Sequence, residues 1–160
     1  MKRMVIMDKR PEATQVVEEF VEDLKAGGFE VFMRESFLRW RDMDVHLVQK
    51  EGVSGVLFIK MIKPKNEEDK KEERWGINSE LLDSFKQLAS DDEDTGLYVI
   101  FLENAKQGYF IEADAFSVVR KKLKENDEDG EVDVPADLVR KDFASNHFDN
   151  VEDVIKKLEN

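Results

Sequence analysis

The chain contains no cysteine, which rules out a disulfide framework and any thiolate-bound metal. Histidine is nearly as scarce, with only His46 and His147, so a zinc site lacks ligands. No apolar run approaches the roughly 18 residues of a membrane helix. The opening "MKRMVIMDKRPEA" has too short an apolar patch for a signal peptide. A cytoplasmic protein without membrane contact is the expectation. There is also no glycine-rich phosphate loop, no Gly-x-Ser-x-Gly elbow and no Cys/His pair, which leaves nucleotide hydrolysis and acyl transfer without sequence support.

Positive charge is in deficit too. A net charge of −12 opposes general attraction to a phosphate backbone, which normally rests on an excess of Lys and Arg. The deficit is uneven, however: residues 34–74 hold 10 Lys and Arg against 9 Asp and Glu, so the rest of the chain carries it. Whatever basic surface exists is concentrated there. At 160 residues the chain reads as one domain, long enough to bury a core without disulfide or metal staples.

Residues 12–26 place Val16, Phe20 and Leu24 at helical spacing, with Val17 and Val21 beside them and Glu18, Glu19, Glu22 and Asp23 on the remaining positions. This predicts an amphipathic helix that Gly27-Gly28 can end. "FEVFMRE", "DVHLVQ" and "VLFIKMI" read as three strands, the last two joined by a turn in "KEGVSG" and the third near the sheet centre. The charged stretch 63–74 reads as a solvated loop or frayed helix. A second helix is expected from Asn78 through "NSELLDSFKQLAS", capped by that asparagine. "GLYVIFLE" and "YFIEA" follow as strands, and 114–125 as a helix. The acidic 125–133 breaks the pattern, and Pro135 then opens two further helical pieces, "ADLVRKDF" and "NVEDVIKKLEN".

The order helix, three strands, helix, strand, strand, together with Asp44 followed fourteen residues later by Phe58-Ile59-Lys60, resembles the restriction-endonuclease-like, or PD-(D/E)XK, nuclease fold. Within it, "VEEFVEDLKAGGFEVFMRE" and "LLDSFKQLA...GLYVIFLENAKQGYFIEADAF" are similar to the archaeal Holliday-junction resolvases. The resemblance implies an α/β fold: an αβββαβ core over roughly residues 12–118 around a central mixed sheet, with a C-terminal helical extension over roughly 119–160.

In that family an Asp and the acid of the (D/E)xK tripeptide hold a divalent metal, and the Lys assists the attacking water. Clustered carboxylate oxygens are what Mg²⁺ requires. Asp44 matches the metal-binding Asp and Lys60 the Lys, but Phe58 stands where the second acid belongs and Met43 where the proline would be. The resemblance therefore implies a degenerate, non-catalytic nuclease-like domain without a cofactor, kept as a binding or scaffold module in DNA or RNA transactions. The alternative is a Mg²⁺-dependent endonuclease in which Glu18 or Glu22 supplies the missing ligand beside Asp44.

Each residue also has a plainer reading. Asp44 can serve local backbone groups at a strand start. Lys60, inside an apolar run, must either extend its head to the sheet edge or pair with an acid, Asp44 being the natural candidate. His46 would share Asp44's face of the strand. Arg34, Arg39, Trp40 and Arg41 interleave cations with aromatics, a pattern that suits nucleic acid and protein interfaces alike. Lys63 with Lys65, Lys70 and Lys71 could extend that surface, but five acids sit among them. The partners this allows are nucleic acid, a protein, or a second copy of the chain.

Overall fold

The computed structural model describes residues 11–33, 44–64, 73–78, 95–120 and 131–159. Helix α1 (Pro11–Ala26) turns Val17, Phe20, Val21 and Leu24 inward and leaves Glu18, Glu19 and Glu22 in solvent, as the spacing predicts. It stops where Gly28 takes a φ of +102°, a left-handed conformation that glycine adopts without a Cβ clash. The Phe29 N–H donates back to the Leu24 carbonyl at 3.2 Å, closing the helix end.

Strands β1 (Glu30–Met33), β2 (Asp44–Lys50) and β3 (Val53–Met61) form an antiparallel meander. Two short strands come next, β4 (Lys63–Pro64) and β5 (Glu73–Asn78). Then β6 (Thr95–Leu102) returns parallel to β3, and β7 (Gly108–Glu112) pairs back on it. A parallel return needs a long crossover, and residues 62–94 provide it. Helix α2 (Ala113–Arg120), strand β8 (Glu131–Pro135), helix α3 (Ala136–Asp142), a 3₁₀ turn over Ala144–Asn146, strand β9 (His147–Phe148) and helix α4 (Val151–Glu159) complete the chain. The result is an α/β fold around a six-stranded mixed sheet in the order β1-β2-β3-β6-β7-β9, with a smaller sheet β4-β5-β8 beside it.

Several expectations are corrected. The ends of the charged stretch 63–74 are β4 and the start of β5, not loop or helix, and Asn78 is the last residue of β5. The helix expected after it falls on 79–90, outside the described residues, as does the 121–125 end of the helix expected over 114–125. The acidic break at 125–133 ends in β8. The C-terminal stretch is not helical alone: β8 joins the small sheet and β9 the edge of the large one.

Both faces of the large sheet are covered. On one, Val56 and Phe58 of β3 join Val99 and Phe101 of β6, Trp75 of β5, Phe116 of α2, Val134 of β8, and Val139 of α3. On the other, Leu57 and Ile59 join Ile100, Leu102, Phe110 and the apolar faces of α1 and α4. Alternation along β3 thus sends successive residues into two separate cores. Trp75 is fully buried, its ring 4.8 Å from that of Phe101, and it sits opposite Val134 in the β5–β8 register.

Arg140 of α3 ties the two sheets together at their rim. Its Nη2 donates to Glu103 at 2.7 Å and to Glu73 of β5 at 3.1 Å, and its Nε donates to Glu103 at 3.0 Å. Burial works against its charge, but the two carboxylates outweigh it and hold its pKa above the ordinary arginine value. On the opposite face, Lys50 at the β2–β3 turn pairs with Glu159 and donates to the Gly27 carbonyl at 3.1 Å, fastening the end of α1 to α4.

Phe58 has no solvent exposure and sits among the side chains of both sheets. Phe58→Ala should therefore lower unfolding stability by about 3–5 kcal/mol, the cost of a deleted core aromatic. Urea denaturation followed by circular dichroism would measure it, and a loss under 1 kcal/mol would contradict the packing.

Candidate functional site

The hairpin β2–β3 carries the three positions on which a nuclease reading rests. The register sets Asp44 opposite Ile59 and Val45 opposite Phe58. Residues opposite each other in a sheet share a face, so the backbone position of Asp44 belongs with Ile59, and Phe58 and Lys60 belong to the other face. Of Asp44 only this backbone placement is described. Lys60 is 6% exposed and aligned with Phe101 in the parallel β3–β6 pair.

Phe58, at the position that the resemblance assigns to a second acid, has its aromatic ring sealed in the core. It has no oxygen to offer, and a carboxylate there would have to be buried among apolar side chains, which is costly without partners. The donor set on this hairpin therefore does not fit Mg²⁺, which takes hard oxygen ligands. Among the described residues no three His, Asp or Glu side chains converge as a metal site.

Glu18 and Glu22 lie on α1, one turn apart and exposed, over the face to which the Asp44 position belongs. With Val17, Val21 and Lys25 of the same helix, Val31 of β1 and His46 of β2, they line a cleft of about 440 Å³. The structure thus brings the two helix acids together with His46 of β2 at one cleft, whereas Lys60 belongs to the opposite face of the sheet. Arg34, Arg39, Trp40 and Arg41 lie outside the described residues. Lys63 is placed by its backbone alone, in β4 opposite Arg74.

His46 forms the floor of the cleft at 2% exposure, and its Nδ1 has no hydrogen-bond partner among the described residues. Burial, aided by the nearby positive charge of Lys25, pushes its pKa down to about 4. The imidazole is therefore neutral at pH 7. Sequence alone marked His46 only as a neighbour of Asp44. The cleft joins side chains from 17 to 46 across a helix and two strands, and no local pattern encodes that.

Among the described residues no helix is long and apolar enough to cross a membrane. No protein-family model and no curated protein matches the chain in sequence.

The depressed His46 pKa has a stability consequence. Well above pH 6.5 neither folded nor unfolded His46 is protonated, and its ionisation adds no pH dependence to stability. As the pH falls from 6.5 to about 4, the unfolded chain takes up a proton that the folded one refuses, and stability drops by roughly 3 kcal/mol. His46→Phe should flatten this part of the stability profile relative to the parent. Parallel profiles of the two proteins from pH 7 to 4 would contradict the assignment.

Proposed function

We propose that the chain is a non-catalytic member of the restriction-endonuclease-like fold, retained as a binding or scaffold module in nucleic-acid transactions. The order of elements supports the fold: a helix, an antiparallel three-strand meander, then a strand parallel to the third after a crossover, follows the αβββαβ plan as far as the described residues extend. The observation that carries the loss of chemistry is Phe58, fully buried where the second metal-binding acid would stand. The same register sets the backbone position of Asp44 opposite Ile59, one residue out of step with Lys60. Fold likeness alone assigns no activity, and the reading rests on this divided motif.

The competing nuclease reading keeps one point in its favour, namely that Glu18 and Glu22 overhang the face of the Asp44 position. It still has to operate with Lys60 on the far side of the sheet.

Labelled duplex, single-stranded and branched DNA, mixed with the protein in Mg²⁺ at two salt concentrations, distinguishes the two readings. The proposal predicts salt-sensitive binding to at least one form and intact DNA on recovery. Mg²⁺-dependent cutting that Asp44→Ala or Lys60→Ala abolishes would overturn it, and an absence of binding to every form would remove the nucleic-acid part.

A further inference from the structure

The large sheet has two edges, and they are built differently. One is β9, blunted at two residues before the chain leads into α4. The other is β1, Glu30-Val31-Phe32-Met33, which carries neither the lysine nor the proline that commonly guards an exposed edge. Among the described residues no strand pairs with its outer side. Phe32 is 48% exposed, the one large hydrophobic side chain in solvent among those residues. It stands beside its register partner Leu47, itself only half-buried. Val31 belongs to the other face, where it packs against the core beneath α1 and lines the cleft with Val17 and Val21. The edge is thus apolar on both faces, with Glu30 as its single charge.

We propose that β1 pairs antiparallel with β1 of a second copy of the chain, about a two-fold axis at Phe32, so that the two large sheets run on into one. An unpaired edge offers backbone N–H and C=O groups to any extended strand, and the residues of β1 are what select a second copy. Pairing about Phe32 sets Phe32 against Phe32 and Val31 against the position of Met33, so these pairs are all apolar. The two Glu30 residues then fall at opposite ends, outside the apolar pairs. A pairing about Val31 would instead set Glu30 against Phe32. The contact is isologous and closes at two copies. A four-residue edge buries little area, so the dimer is a weak one. With −12 on each copy, long-range repulsion opposes approach, and backbone bonds and apolar area hold the pair together. Salt therefore tightens it by screening that repulsion. The contact uses neither Phe58 nor Lys60 and survives a failure of the nuclease-like reading.

Sedimentation equilibrium of the full chain from about 10 μM to about 1 mM, at low and at high salt, reads the association. A monomer–dimer equilibrium that tightens with salt is expected. Phe32→Lys and Phe32→Glu, at an exposed position and checked for folding by circular dichroism, should each weaken it about tenfold, because like charges then meet on the two-fold axis. Mixed in equal amounts, the two variants should associate more tightly than either alone, since opposite charges meet at the same place. In the unmodified chain, hydrogen exchange at the outward amides of β1 should slow as the concentration rises. A chain that stays monomeric throughout, association that weakens with salt or grows beyond dimers, a dimer indifferent to both substitutions, a mixture no tighter than its components, or β1 exchange independent of concentration would overturn the proposal.

Discussion

The parallel pairing of β3 with β6 at the centre of the large sheet is the constraint on which the rest of the structure depends. Eight register pairs, from Ser54 with Thr95 to Met61 with Leu102, hold the two strands together. Their side chains supply both cores at once: Phe58 and Phe101 point to the side of the small sheet, Ile59 and Ile100 to the side of α1 and α4. A central strand buried on both faces tolerates few polar residues, because each would lose its hydration on either side. Lys60, near the end of β3, is the charged exception.

That constraint also limits what position 58 can hold. A metal centre on β3 needs a wet, acid-lined surface, whereas the small sheet with α2 and α3 closes over the Phe58 side of the strand. Trp75, Val134 and Val139 fill the space above it, and Arg140 fastens that layer at the rim through Glu73 and Glu103. Chemistry at position 58 and the packing of the second layer exclude one another. The opposite face, beneath α1, keeps an open cleft with a neutral histidine at its floor.

Much of this was legible in the residues, and the parts that were not share a cause. The α1 stripe, the β2–β3 turn and the apolar β6 announce themselves by local period, and the antiparallel meander with its third strand near the centre follows from them. "ERWGIN" and "EVDVP" do not, being short and charged. They become strands because Trp75 and Val134 meet across the β5–β8 pair, a contact between residues far apart in the chain. The two-residue β9 exists only as a partner for Gly108 and Tyr109. The resemblance to a nuclease brought Asp44 and Lys60 together by spacing. A hairpin register one residue away from that spacing moves a side chain to the other face, and only the paired strands reveal it.

The central claim is that the Phe58 side of β3 is sealed core. Paramagnetic broadening of the backbone amide signals by sub-stoichiometric Mn²⁺ tests it directly. The account predicts diffuse effects over the exposed acidic surface, with the amides of Phe58, Ile59 and Lys60 spared. Selective broadening centred on those three residues and on Asp44 would contradict it and point to a metal centre on the hairpin.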